Sequence, residues 1–114
     1  MQNFTVRKLE ASDTQIAWQL AKELQGDAPA KQEALFELLS DDRTIVLAAF
    51  ENKVPVGYLV AYAFPSLSGG RHAYLYDIEV APNMRRHGIG KRFVALLCDI
   101  CKSKGVNSIW VGSS

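Results

Sequence analysis

Apolar positions recur with two periods along this chain, and each change of period marks a new element. Phe4, Val6 and Leu9 nearly alternate with polar neighbours across 4–10, which predicts a strand. Ser12-Asp13-Thr14-Gln15 then resembles a capping box, Ser12 with Gln15. Ile16, Leu20 and Leu24 follow at helical spacing until Gly26 supplies a stop. Asp27 and Pro29 suit the start of a second helix, which carries Leu35, Leu38 and Leu39 on one face and ends at Ser40-Asp41-Asp42. The unbroken apolar run 44–50 predicts a buried strand, and Glu51-Asn52-Lys53 a hairpin turn. The return strand covers 54–64, with Pro55 near its start, where a missing N–H is tolerated. A loop at 65–70 leads to a strand at 71–81, which Pro82-Asn83-Met84 breaks. Ile89, Phe93, Leu96, Leu97 and Ile100 then define a strongly amphipathic helix. Lys104-Gly105 stops it, and 107–111 forms a last strand. The predicted order is β-α-α-β-β-β-α-β, an α/β fold with a mixed sheet. There is no internal repeat or low-complexity linker, so residues 1–114 are expected to form one domain.

Composition narrows the class. With 48% apolar and 22% charged residues, a core is attainable without a disulfide or metal staple. The longest apolar runs, 45–50 and 58–65, are far too short to span a membrane. The first residues lack a basic segment followed by an apolar stretch, so no signal peptide is visible and a cytoplasmic location is expected. A net charge of +1 argues against a dedicated nucleic-acid binder.

The distribution of charge says more. Residues 1–50 carry five Lys/Arg against eight Asp/Glu, whereas 51–114 carry eight against four. Arg85, Arg86, Lys91 and Arg92 fall within one short window, where an anion is expected. Cys98 and Cys101 lie deep inside a helical pattern rather than at a helix N-terminus, so they read as helix residues. His72 and His87 have no ligand-like spacing, and no metal is expected.

Arg85-Arg86-His87-Gly88-Ile89-Gly90-Lys91 joins a strand to a helix. Glycines there let backbone N–H groups approach a ligand, and the unpaired N–H groups and positive helix end favour an anion. Cations in the first turn oppose the helix dipole, a local rule best broken for a bound polyanion such as a pyrophosphate. The Walker A pattern is excluded because Arg92 follows Gly90-Lys91 and position 85 is not glycine. A dinucleotide fingerprint is excluded by Phe93, where a small residue is required. The plainer alternative is a basic, solvent-exposed turn.

The run from Tyr76 to Lys91 resembles motif A of the GNAT acetyltransferase superfamily, [QR]-x-x-G-x-[GA], with Arg85, Gly88 and Gly90 in the defining positions. The resemblance implies that the amides of the loop, through Arg85, Arg86, His87, Gly88, Ile89, Gly90 and Lys91, hold the pyrophosphate of acetyl-CoA. It also implies that backbone groups around Ile78 and Val80 pair with the pantetheine arm. Within the superfamily the sequence is most similar to aminoglycoside 3-N-acetyltransferases, through 44–50, Val56-Gly57, Ala61-Tyr62, Pro65 and Tyr76-Asp77 through Ile89; Glu79 departs from the small residue expected there.

Transfer in this superfamily is direct attack of a free amine on the thioester, which requires a base. Asp77 and Glu79 lie two apart on a strand, so they project to one side. Both are candidates to bind a cationic acceptor and take its proton, Asp77 first; the alternative is that they face solvent. The Val80 amide is the expected donor to the thioester oxygen. Tyr62, Tyr74 and Tyr76 read as core or pocket-wall aromatics. Superfamily members continue past 107–111 with a helix and two strands, and that helix usually carries a tyrosine acid; this sequence stops at Ser114. The resemblance therefore implies an N-acetyltransferase acting on a small polyamine. The rival readings are a catalytically impaired acyl-CoA-binding protein acting through self-assembly or a partner chain, and a protein Nα- or lysine acetyltransferase. With its last strand uncovered and uncharged, the chain is expected to pair as a homodimer through that region.

Overall fold

The computed structural model describes residues 3–26 and 31–111. Five strands form one sheet in sequential order: β1 (Thr5–Lys8), β2 (Thr44–Glu51), β3 (Val54–Pro65), β4 (Arg71–Val80) and β5 (Ser108–Val111). Pairing is antiparallel from β1 to β4 and parallel between β4 and β5. A parallel pair needs a crossover, and helix α3 (Ile89–Ser103) supplies it. The order and type of the elements are those read from the periodicity, and the strand ends differ by a residue or so.

Alternation along β2 explains how the two faces are filled. Ile45, Leu47 and Ala49 point to one face, where they pack with Leu59, Ala61, Phe93 and Leu97 under α3. Val46 and Ala48 point to the other, against Ala17, Leu20 and Leu39 of α1 (Thr14–Leu20) and α2 (Gln32–Ser40). Burial on both faces is why β2 reads as an unbroken apolar run. The β2–β3 hairpin turns on Asn52 and Lys53, at φ 51° and 69°, the left-handed pair that matches the twist of the flanking strands. No helix among the described residues is long and apolar enough to cross a membrane.

The start of α1 corrects the expected cap. Ser12 and Gln15 do not form a capping box; a 3-10 turn, Ala11–Asp13, precedes the helix and puts Ser12 inside the first turn. The Glu10 N–H instead donates to Asp13 Oδ2 at 2.7 Å, and Arg7 donates to both Asp13 oxygens at 3.0 and 3.1 Å. The Arg7 hydrogen bonds are the main reason that Asp13 lies below the usual carboxylate range. A depressed carboxylate stabilises the fold fully above its unfolded value, near 4, and loses that contribution as pH falls through its folded value. We expect Asp13→Ala to cost about 1 kcal/mol near pH 7 in urea denaturation, with the gap from wild type narrowing as pH falls below the ordinary carboxylate value, near 4. A gap independent of pH would contradict this.

The downstream end of α1 departs from an ordinary helix. Residues Ala21–Gln25 form a π turn, closed by Gly26 at φ 76° as the left-handed cap. Gly26 stops the helix as the sequence suggests, whereas the π turn carried no signal in the periodicity. The expected start of α2 at Asp27 and Pro29 lies outside the described residues.

Candidate functional site

The candidate site lies along the part of β4 that β5 does not pair among the described residues. β5 pairs with β4 only from His72 to Leu75, so on this side 76–80 have no neighbouring strand among the described residues. The Ala81 N–H donates to the Val56 carbonyl at 2.8 Å, turned toward β3. Period-two alternation then points the backbone groups of Ile78 and Val80 to the unpaired edge. The carbonyl of Val80 does accept there, from Arg85 Nε at 3.1 Å.

That edge leads directly to the N-terminus of α3. A short 3-10 turn, Pro82–Met84, carries the chain round, and buried Met84 pins it to the core. Arg86 and Gly88 then adopt φ of 69° and 87°. Glycine suits the second position because only it takes a left-handed φ without a Cβ penalty; Arg86 holds the same region at a strain cost, which surrounding structure must enforce. Gly88 caps α3 without a side-chain hydrogen bond, and the first helical bond runs from Arg92 N–H to the Gly88 carbonyl at 3.1 Å. The first-turn N–H groups, those of Ile89, Gly90 and Lys91, are therefore left for an outside acceptor. The turn carries no acidic residue to compete for that place.

The predicted loop residues divide by role. The Ile89 side chain is buried in the core, so only its N–H faces outward work. Gly90 packs toward Ile78; a Cβ there would lie 4.0 Å from Ile78 Cδ1, an ordinary contact, so protein packing does not demand glycine. Close approach by a ligand would. Arg85 ties the loop to the strand through Val80 and, at 3.4 Å, through the carboxylate of Glu79. Arg86, His87 and Lys91 are exposed, and among the described residues none of them is salt-bridged. Arg92 does not join them. Its guanidinium lies over the Phe4 ring, 5.5 Å from the centroid, so the cationic cluster is smaller than the sequence suggests.

The two candidate acids do share a face. Asp77 sits opposite Val60 and Glu79 opposite Tyr58 in the β3–β4 register, on the side of the sheet that α1 and α2 cover. Their surroundings differ: Glu79 is engaged by Arg85, whereas Asp77 Oδ2 accepts from the Tyr58 hydroxyl at 2.8 Å. One residue after the register shift beside Ala61, Tyr62 and Tyr76 meet edge-on at 5.8 Å. Tyr74 and Tyr76 are exposed, so they are wall rather than core. Sequence reasoning missed Tyr58 altogether, since it occupies an ordinary inward position of β3. A larger hollow of about 510 Å³ lies at the opposite sheet edge, lined by Asn3, Phe4, Arg7 and Phe50 among others. Its lining includes none of the residues from Tyr76 to Lys91, and Asp13 already holds its Arg7.

This geometry coincides with a family likeness. The sequence pattern of the acetyltransferase (GNAT) family matches residues 6–114. No curated protein matches the chain. Among solved structures, an aminoglycoside acetyltransferase from an uncultured soil metagenomic sample superposes with a TM-score of 0.89 at 24% identity, covering 98% of this chain and 80% of that one. AAC(6')-Iy, in complex with the bisubstrate analogue CoA-S-monomethyl-acetylneamine, gives 0.83 at 21% identity, with 98% and 80% covered. A ribosomal-protein-alanine N-acetyltransferase from Brucella melitensis gives 0.80 at 19%, with 98% and 81% covered. At these identities the superpositions establish a shared fold.

Proposed function

The chain belongs to the acetyltransferase (GNAT) family, and from that premise we propose that it moves an acetyl group from acetyl-CoA to an amine of a small polycationic acceptor of the aminoglycoside type. The observation that supports this most is the continuity of three features. The uncapped N-terminus of α3, the unpaired edge of β4 and the Asp77 carboxylate follow one another along a single stretch of chain. The first receives the pyrophosphate on the amides of Ile89, Gly90 and Lys91, with the side chains of Arg86, His87 and Lys91 nearby. The second receives the pantetheine amides on the backbone of Ile78 and Val80, as an added strand would.

Acetyl-CoA supplies the activated acyl group as a thioester, and the chain's residues prepare the amine. An alkyl ammonium with a pKa of ~10.4 holds its proton at neutral pH, so freeing the lone pair costs roughly 4–5 kcal/mol. Asp77 attracts the cation and takes that proton, directly or through one water. Glu79, two residues on and partly neutralised by Arg85, adds negative charge for a second amine. The Val80 N–H, on the unpaired edge, is the donor placed for the thioester oxygen as negative charge builds on it. We further propose that residues 1–114 work as a single acetyl-CoA-binding unit and that two copies pair through β5. This strand is outermost among the described residues, and its Trp110 and Val111 are 60% and 73% exposed. It carries neither proline nor charge to discourage pairing. Light scattering at micromolar concentration is expected to give twice the chain mass, and a well-folded monomer would rule the pairing out.

Acceptor choice is tested by mass spectrometry after incubation with acetyl-CoA and a panel of sisomicin, neamine and a peptide beginning with alanine. Acetylated aminoglycoside is the expected product. Modification of the peptide alone would replace this reading with a protein N-acetyltransferase. Tight acetyl-CoA binding without transfer to any acceptor would leave only a binding protein.

A further inference from the structure

We infer that Tyr58 and Gln25 are positioning residues for Asp77, holding its carboxylate through a two-bond relay that begins at the π turn closing α1. The inference rests on the reading that Asp77 meets the acceptor amine. Tyr58 is 5% exposed and its ring packs in the cluster beneath α1 and α2. Because Tyr58 stands opposite Glu79, it shares a face with Asp77 and lies one diagonal step away. An aromatic side chain spans that diagonal, and the hydroxyl arrives 2.8 Å from Asp77 Oδ2.

The chemistry fixes the direction of both bonds. An ionised carboxylate only accepts, so the phenol donates. Its oxygen is then left to accept, and Gln25 Nε2 donates to it at 3.3 Å. Burial, opposed by Gln25 and reinforced by Asp77, pushes the phenol up to about 12, so it keeps its proton at any working pH. Tyr58 is a donor here and not a base.

The surroundings leave the hydroxyl little choice. The crevice beside it measures about 60 Å³, and apart from Gln25 and Tyr58 themselves its walls are apolar, among them Leu20, Leu35, Leu38 and Val46. The π turn gives Gln25 a different angular phase from that of a continued α-helix, and such turns are frequent at functional sites. With Oδ2 held from the protein side, Oδ1 is the oxygen left for the acceptor ammonium. Asp77 is thus aimed by the body of the protein rather than left to swing on the strand edge.

Two measurements test this. Kinetics with acetyl-CoA and sisomicin should show Tyr58→Phe lowering kcat about tenfold, the size of one lost hydrogen bond, with the acetyl-CoA KM unchanged. In an Asp77→Asn background the same change should cost almost nothing, because its effect passes through Asp77. Gln25→Ala should act in the same sense, more weakly. An equal loss with and without Asp77, or full activity in Tyr58→Phe, overturns the positioning role. The second measurement needs no acceptor. The Tyr58 hydroxyl proton should appear as a slowly exchanging NMR resonance, absent in Tyr58→Phe and displaced in Asp77→Asn. A resonance indifferent to Asp77 overturns the relay itself. If Asp77→Asn alone keeps the wild-type rate, the failure lies with Asp77 as the base, and the hydroxyl resonance still decides whether Tyr58 holds it.

Discussion

Gly88→Glu should abolish measurable acetyl-CoA binding while leaving the protein folded. Gly88 sits at φ 87°, and a Cβ placed there meets nothing within 4 Å, so the side chain has room although the backbone is strained. Strain of this kind costs about 1–2 kcal/mol for a non-glycine residue, which a folded domain can absorb. The carboxylate, however, would stand at the mouth of the uncapped α3 N-terminus, where the pyrophosphate is expected. Placing like charges together costs several kcal/mol, and about 3 kcal/mol already corresponds to a loss of more than a hundredfold. Gly88→Ala separates the two effects, since it keeps the strain and omits the charge. Calorimetric titration should show a modest loss for alanine and none of the wild-type signal for glutamate. Near-wild-type affinity in a folded Gly88→Glu variant would remove the loop from the site.

Asp77→Asn should act on the opposite half of the reaction. The amide keeps the shape and can still meet the Tyr58 hydroxyl, but it cannot take a proton from an ammonium. General-base removal of this kind typically costs about 10²–10⁴ in rate, while acetyl-CoA affinity should stay within about twofold because Asp77 lies away from the phosphate loop. Glu79→Gln should cost less, since Arg85 already occupies that carboxylate. A parallel loss of acetyl-CoA affinity and rate in Asp77→Asn would make the residue structural.

How much of this was legible in the sequence follows from the range of each interaction. The strands and helices were readable because their signals are local: unbroken apolar runs in β2 and β3, alternation in β4, a helical stripe through Phe93 and Leu97, and glycines at turns. The anion loop was readable for the same reason, being seven consecutive residues with a fixed pattern. Side-chain destinations were not. Arg92 belongs to the basic window in sequence, yet it folds back over Phe4 on β1, a contact between distant segments. Arg85 turns back along the edge of β4 to Val80 and Glu79 only because the 3-10 turn reverses the chain between them. Which part of β4 lacks a neighbouring strand among the described residues depends on the β4–β5 register, which strand propensity does not encode. Tyr58 looks like any inward β3 residue, and its tie to Asp77 rests on the β3–β4 register and on a π turn that leaves no mark on the periodicity. The expected capping box failed because the turn starts two residues earlier, at Glu10, whose N–H donates to an Asp13 carboxylate that Arg7 holds in place, a contact from β1 that the local pattern does not contain.

The central claim, that acetyl-CoA lies on the free edge of β4 with its pyrophosphate at the start of α3, is open to one direct measurement. Amide proton and nitrogen shifts should be followed by NMR as acetyl-CoA is titrated into the uniformly labelled protein. The account predicts that the largest changes fall on Ile78, Val80 and the loop from Arg85 to Lys91, with the amides of Ile89, Gly90 and Lys91 moving downfield as they acquire an acceptor. Changes centred instead on the hollow around Asn3, Phe4 and Arg7, with residues 85–91 unmoved, would contradict it.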